Sequence, residues 1–138
     1  VDKKYLDNEY RIKLLLKKLK KIVSKKTIIC IQELGPTQLS SLFTFFTNIN
    51  FSCISFRDLA IFYPNKCKVI YSETNYINNL KHYLKKDKLI DEISKFNHSY
   101  IILQLQYNNT KINICNTHLV SNPKFNNTIK VLQSFVQH

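Results

Sequence analysis

The sequence has 138 residues, of which 44% are hydrophobic and 22% are charged. This length and apolar content suit one globular domain, or part of one, and exclude two independent cores. The net charge of +12 favours phosphate-bearing partners, and no apolar run reaches the roughly 18 residues that a membrane span requires.

The spacing of the four cysteines indicates the cellular compartment in which the protein is expected to lie. Cys30, Cys53, Cys67 and Cys115 form no CxxC or CxxH pair, so a zinc site has no support. Three of them lie in apolar segments, where a reduced thiol behaves as a small hydrophobic side chain. An intracellular location is expected, cytoplasmic rather than mitochondrial. Because the chain begins at Val1, a targeting segment upstream stays open.

The first predicted element is an amphipathic helix from Asp7 to Val23, with Asp7 placed to cap its amino end. The first 26 residues contain ten basic and three acidic side chains, a net charge of +7. Two interpretations are open for the polar side of this helix, a solvated face or a direct contact with RNA. Its lysines are Lys13, Lys17, Lys20 and Lys21.

A buried strand is predicted next, from Thr27 to Gln32, because β-branched and apolar residues follow one another without a break. The strand ends at Glu33, after which Gly35-Pro36 forces a turn. Thr37 is then placed to cap a second helix that ends near residue 47. Its predicted buried stripe is Leu39, Leu42, Phe43 and Phe46.

Short strands dominate the rest of the chain. Strands are predicted over 51–56, 59–62 and 69–72, and a lysine-rich helical insertion over 77–97. Segments 100–107 and 111–117 are predicted to pair as a hairpin around Asn108-Asn109-Thr110, followed by a last helix from about Asn127. The expected class is therefore α/β (α+β), with helices covering strand layers.

Two residues are candidates for chemistry. Glu33 is a carboxylate at the end of a buried strand, where it either ligates a hard cation or is a solvated turn residue. His118 leaves the last hairpin strand on the same face as Asn116, and imidazole and amide groups both hydrogen-bond phosphoryl oxygens. A surface or structurally bonded histidine is the alternative for His118.

Two short segments contain these candidates: Ile28–Leu34, which reads IICIQEL, and Ile114–Leu119, which reads ICNTHL. They resemble the "DIICLQEV" and "VANTHL" strands of the endonuclease/exonuclease/phosphatase superfamily. Leu6–Arg11 is similar to the "LDWEYR" helix start of its carbon-catabolite-repressor-type deadenylase branch, and Leu59–Tyr63 to the "GLATFY" strand of that branch. Asn122-Pro123-Lys124 resembles the "THLYWHPK" segment of the 2′-phosphodiesterases.

The resemblance implies that residues 1–138 are the amino-terminal half of a single domain, an incomplete two-layered β-sandwich flanked by helices. It implies that Glu33 ligates Mg²⁺, with Mn²⁺ also suitable. It further implies that His118, supported by Asn116, contacts the scissile phosphate, and that Pro123 borders the pocket for the terminal base. The implied activity of the intact protein is 3′-end exonuclease hydrolysis of RNA, either poly(A) or 2′,5′-oligoadenylate.

The sequence also departs from the family. Asp58 stands where the family has a glycine, and the "GDFN" and "SDH" motifs that supply the remaining catalytic groups do not occur. The 138-residue segment is therefore expected to have no appreciable hydrolytic activity by itself. Two alternatives stay open. One is another phosphodiesterase of the superfamily, namely an abasic endonuclease, a sphingomyelinase or an inositol-polyphosphate phosphatase, and the other is a non-catalytic, basic RNA-binding or scaffold domain.

Overall fold

The computed structural model describes residues 7–77, 79 and 98–118. The predicted helical insertion over 77–97 lies outside these residues except for positions 77 and 79, and the predicted last helix lies wholly outside them. In chain order the elements are α1 (Asn8–Ile22), β1 (Ile29–Ile31), α2 (Pro36–Thr47), β2 (Phe51–Phe56), β3 (Leu59–Pro64), β4 (Lys68–Tyr76), β5 (Ser99–Tyr107) and β6 (Thr110–Thr117).

The strands form two antiparallel, three-stranded sheets with the orders β1-β3-β2 and β4-β5-β6. Every residue of the central strand β3 is buried, because one face of the strand meets the second sheet and the other face meets the helices. Between the sheets, alternate residues of β3 and β5 share one apolar cluster: Leu59, Ile61, Tyr63, Ile101, Leu103 and Leu105. This helix-flanked sandwich confirms the predicted α/β (α+β) class.

The two helices cover the outer face of the first sheet. Leu19 of α1 and Phe46 of α2 belong to one apolar cluster with Ala60 and Phe62 of β3. Phe46 stacks on Phe62 with ring centroids 4.2 Å apart. Burying an aromatic or aliphatic side chain of this size contributes about 1.5–3 kcal/mol. The helix layer therefore holds the first sheet, and with it the end of β1 from which Glu33 emerges.

The helix starts follow local capping rules. Asp7 caps α1 as predicted, since its carboxylate accepts two backbone N–H groups of the first turn at 2.8 and 3.4 Å. For α2 the predicted cap was wrong: Gly35 is the N-cap instead of Thr37. Pro36 takes the first helical position, where no N–H is needed, and the Gln38 side chain accepts the backbone N–H of Gly35 at 2.8 Å.

The buried face of each helix is narrow. Phe43, predicted to be buried in α2, is mostly exposed. The reason is geometric, because Phe43 lies about 100° around the helix from Leu42, which is fully buried. On α1, Leu15 and Ile22 are likewise exposed while Ile12 and Leu19 are buried. No helix within the described part of the chain is both long enough and apolar enough to span a bilayer.

Two strands differ in length from the prediction, because the pairing of their backbones with the neighbouring strand sets where they end. β1 is only three residues long because it pairs with just three residues of β3. β4 was predicted to end at residue 72 but continues to Tyr76, since it pairs with β5 as far as Ser99. The β5–β6 hairpin is confirmed, and Asn108 takes a positive φ of 53° in its turn.

Candidate active site

Three chain segments meet at one end of the sandwich and bring Glu33, Asp58 and His118 together. Glu33 follows β1, Asp58 immediately precedes β3, and His118 follows β6. The backbone N–H of Leu34 donates to the carbonyl oxygen of Asp58 at 2.9 Å, which joins the first two segments. The antiparallel pairing of β1 with β3 thus places the two carboxylates beside each other.

The imidazole of His118 lies between those carboxylates. Its Nδ1 is 3.2 Å from Oδ2 of Asp58, and its Nε2 is 3.1 Å from Oε1 of Glu33. Both ring nitrogens donate at once only in the imidazolium form. The side chains of His118, Asp58 and Glu33 are 35%, 41% and 76% exposed, so a ligand from solvent can reach all three.

The backbone of Glu33 is in the left-handed region, with φ of 60°. A residue that carries a Cβ is disfavoured there by about 1–2 kcal/mol, so the surrounding structure must hold it. The conformation turns the chain away from the direction of β1 at the point where the carboxylate meets His118. Backbone of this kind occurs in turns and also clusters at functional sites.

Asn116, predicted to support His118, lies inside the sandwich and is 2% exposed. Its Nδ2 donates to the carbonyl oxygens of Ile31 at 3.0 Å and of Ala60 at 3.1 Å. Its Oδ1 accepts from Nε2 of Gln32 at 3.3 Å. Asn116 therefore ties β6 to the first sheet, two residues before His118.

Asp58 is the site residue that sequence reasoning did not identify as part of the site. It occupies the β2–β3 turn after Arg57, which takes a positive φ of 58°. The second carboxylate oxygen, Oδ1, is 3.5 Å from the hydroxyl of Ser99, a buried residue at the start of β5. The only sequence signal was a carboxylate in a position where the related motif has glycine.

A second imidazole lies close to this cluster. His98 directly precedes β5, and its carbonyl oxygen accepts the backbone N–H of Ile77 at 2.7 Å. Burial lowers the pKa of His98 below its ordinary value of 6.5, the positive charge of His118 lowers it further, and Asp58 acts in the opposite direction. The charge of His118 therefore affects the protonation of His98 at the same end of the sandwich.

A divalent cation fits part of this donor set. Glu33 offers a hard carboxylate oxygen, and Mg²⁺ commonly takes one or two carboxylates while it keeps several waters. Within residues 7–77, 79 and 98–118, no group of three or more His, Cys, Asp or Glu side chains could hold a metal ion. The described residues thus fit one carboxylate ligand of such a site. Pro123, predicted to border a substrate pocket, lies outside the described residues.

No protein-family model matches this chain, and no curated protein matches it. Solved structures of TDP2 do match. A humanized D. rerio TDP2 with 14 mutations is 17% identical, with a TM-score of 0.67 over 96% of this chain and 54% of its own. D. rerio TDP2 complexed with a single-strand DNA product is 16% identical, with a TM-score of 0.66 over 92% and 46%. TDP2 from C. elegans is 16% identical, with a TM-score of 0.69 over 95% and 37%.

At these identities the likeness establishes the fold alone: the chain has the mixed α+β fold of the solved TDP2 structures. The chain spans about half the length of the D. rerio proteins and 37% of the C. elegans protein. The matching structures do not single out the deadenylase branch.

Proposed function

We propose that this chain is the amino-terminal half of a metal-dependent phosphodiesterase domain that hydrolyses nucleic acid. The observation that carries the proposal is the contact of Glu33 with His118, whose ring is held from its other side by Asp58. A ligand for a hard cation is thereby placed 3.1 Å from a group that can donate to a phosphate. The fold likeness to phosphodiesterases supports the same reaction class.

Each residue has a distinct role in the proposed site. Glu33 would hold Mg²⁺ or Mn²⁺, and such an ion, when bound, polarises a phosphoryl oxygen and offsets negative charge that develops during hydrolysis. His118 contacts the scissile phosphate in its imidazolium form, in which Nδ1–H donates to Asp58 and Nε2–H donates to a phosphoryl oxygen. Asp58 is a positioning residue, because its bond to Nδ1 directs Nε2 towards Glu33. Asn116 is a second positioning residue, since it anchors the end of β6.

For the substrate we propose RNA, cleaved from its 3′ end as poly(A) or 2′,5′-oligoadenylate. Support comes from the resemblance of Leu59–Tyr63 and of Asn122-Pro123-Lys124 to the corresponding branches, and from the net charge of +12. In this proposal Pro123 borders the pocket for the terminal base. A cytoplasmic location would accord with such a substrate.

Single-stranded DNA is the second candidate substrate. It is favoured by one specific observation, namely that a TDP2 structure with the same fold contains a single-strand DNA product. Glu33, Asp58 and His118 contain no feature that selects ribose over deoxyribose, so the two substrates must be separated by assay.

The test uses the product of the complete reading frame that contains these 138 residues. Turnover is measured on 3′,5′-oligoadenylate, 2′,5′-oligoadenylate and a single-stranded DNA oligomer, with Mg²⁺, with Mn²⁺ and with EDTA. Replacing Glu33 with Gln should lower kcat at least about 100-fold, since it removes the ligand charge without changing size. Glu9→Gln, an exposed change in α1, is the matched control and should have wild-type kcat.

Three outcomes would refute parts of the proposal. Wild-type turnover by the Glu33→Gln variant, or turnover in EDTA, would refute the metal site. Failure of the complete product to cleave any of the three substrates would favour a non-catalytic nucleic-acid-binding domain. Metal-dependent turnover by the 138-residue chain alone would refute the proposal that it is one half of the catalytic domain.

A further inference from the structure

The exposed side of α1 carries a row of lysines that the proposed active site does not use. These residues, Lys13, Lys17, Lys20 and Lys21, are all exposed, and we call them the lysine ridge. Lys13, Lys17 and Lys20 are spaced by four and then three residues, and Lys21 lies four residues after Lys17, so the row follows successive turns along one side of the helix. From the first to the last the ridge is about 12 Å long, at 1.5 Å per residue.

The charge of the ridge is largely uncompensated. Lys13 lies 4.0 Å from the carboxylate of Glu9, and both side chains are highly exposed, so the pair is weak. Within residues 7–77, 79 and 98–118, Lys17, Lys20 and Lys21 form no ion pair with a carboxylate. The ridge thus presents at least three open positive charges to solvent.

The stability of α1 does not explain why four lysines lie on one side of the helix. Lys13 and Lys17, like Lys17 and Lys21, are four residues apart, and like charges at that spacing destabilise a helix. Lys20 and Lys21 gain from the negative carboxyl end of α1, but Lys13 and Lys17 lie too far from it to gain. The helix is held instead by its buried apolar face.

We propose that the lysine ridge binds the phosphate backbone of the single-stranded nucleic acid whose end is processed at Glu33 and His118. The identity of this strand rests on the proposed function. Phosphates of a strand that keeps B-form stacking recur about every 3.4 Å along its axis, so a ridge of about 12 Å spans at most three to four of them. Because lysines contact phosphates and not base edges, the ridge adds affinity without sequence preference.

A membrane surface fits this helix less well. A helix that lies on anionic lipid needs an exposed apolar face that enters the headgroup layer below its lysines. The centre of the apolar face of α1 is not available to a membrane, since Ile12 and Leu19 are buried in the protein and only Leu14, Leu15 and Ile22 are exposed among the aliphatic residues of the helix.

One strand can reach both places. The chain from Lys21, the last residue of the ridge, to Glu33 spans at most about 40 Å at 3.3 Å per residue. That length corresponds to roughly 12 nucleotides at 3.4 Å each. The ridge would therefore hold the strand no more than about 12 nucleotides away from the end that is cleaved.

The experiment measures how strongly the protein binds a fluorescent single-stranded oligonucleotide of random sequence and about 20 nucleotides. Binding is followed by fluorescence anisotropy in buffer that contains EDTA, and it is repeated over a series of salt concentrations. The ridge variant is Lys17→Gln, Lys20→Gln, Lys21→Gln. The matched control, Lys18→Gln, Lys68→Gln, Lys111→Gln, removes the same charge at three exposed positions outside the ridge. The slope of log K against log salt should become shallower by about 2 in the ridge variant, at about 0.7 per lost phosphate contact, and should keep nearly its wild-type value in the control.

Equal slopes in the two triple variants would overturn the proposal, as would ridge-dependent binding to phosphatidylserine vesicles without ridge-dependent binding to the oligonucleotide. If the ridge variant loses helical circular dichroism, the single variants Lys17→Gln and Lys21→Gln replace it, and each should lower the slope by about 0.7. The binding measurement does not depend on hydrolysis. A complete product that shows no turnover in the activity assay would therefore refute the proposed function and leave this binding result intact.

Discussion

Oδ2 of Asp58 lies 3.2 Å from Nδ1 of His118, a contact between residues 60 positions apart in the chain. It joins the β2–β3 turn of the first sheet to the end of β6 in the second. A carboxylate in this position fixes which ring nitrogen carries the proton and how the ring is turned. The contact thus makes the orientation of His118 depend on a residue of the opposite sheet.

Replacing Asp58 with Asn should loosen that control at nearly constant side-chain size. In wild-type protein at alkaline pH we expect the neutral ring of His118 to carry its proton on Nδ1, and in the variant we expect a mixture of both tautomers. Long-range ¹⁵N–¹H correlation spectra of the imidazole distinguish the two forms. In the complete enzyme the same change should lower kcat by about 10- to 100-fold, with KM little changed.

The remote change Glu9→Gln serves as control, and it should leave the tautomer of His118 unchanged. An Asp58→Asn variant with the wild-type tautomer and kcat would show that the contact does not orient the ring.

The free energy of unfolding should depend on pH through the protonation of His98. Its pKa is lowered in the folded protein, mainly by burial and then by the charge of His118, so the unfolded chain binds the proton more readily. The free energy of unfolding should therefore fall as the pH drops through 6.5, and the loss should be complete once the pH is below the folded-state pKa of His98. Urea unfolding at a series of pH values should show a shallower loss for His98→Gln than for wild type.

A second variant separates the two causes that lower the pKa of His98, namely burial and the charge of His118. Replacing His118 with Gln removes a positive charge near His98 and should move the pKa of His98 upwards, towards its ordinary value, in an NMR titration. An unchanged His98 titration in that variant would show that the two rings do not interact.

Local rules predicted much of the fold. The apolar spacing and the Asp7 cap predict both ends of α1 to within one residue, and the polar turn at Asn108 marks the β5–β6 hairpin. Errors arose where tertiary packing decides, as for Phe43, because a pattern of apolar residues does not fix the width of a helix's contact face. The cap of α2 was misplaced because Pro36 at the first helical position, a local rule, was not applied.

The candidate site was predictable only in part. Glu33 and His118 each end a strand and match known motifs, so their meeting was expected. The role of Asp58 depends on the pairing of β1 with β3 and on the packing of one sheet on the other, which no local pattern encodes. Asn116 was predicted to share a face of β6 with His118, and its burial against the first sheet is a consequence of the same packing.

Asn116 should contribute strongly to stability. In an Asn116→Ala variant, the carbonyl oxygens of Ile31 and Ala60 lose their donors inside the sandwich, and a small cavity is left. We expect the free energy of unfolding to fall by about 2–4 kcal/mol in urea titrations. Asn113→Ala, a change on the same strand as Asn116, removes an exposed hydrogen bond donated by Nε2 of Gln104 on β5 and should cost no more than about 0.5 kcal/mol. Similar costs for the two variants would show that the buried bonds do not hold the sheets together.

The last prediction concerns the left-handed backbone of Glu33. Asn tolerates this conformation better than Glu, and the side chain of Glu33 is 76% exposed, so its ion pair with His118 contributes little to folding. A Glu33→Asn variant should therefore unfold with a free energy about 0.5–1 kcal/mol higher than wild type in urea titrations. The same variant should weaken binding of Mn²⁺, measured by paramagnetic broadening of the His118 resonances, because it removes the carboxylate.

Glu33→Gln is the matched control, since it also removes the charge but has no comparable preference for the left-handed region. It should lose Mn²⁺ binding without any gain in stability. If metal binding falls in both variants and stability rises only in the Asn variant, the strained backbone is maintained for the position of the carboxylate and not for the fold. A loss of stability in the Asn variant would mean instead that the contact between Glu33 and His118 outweighs the strain.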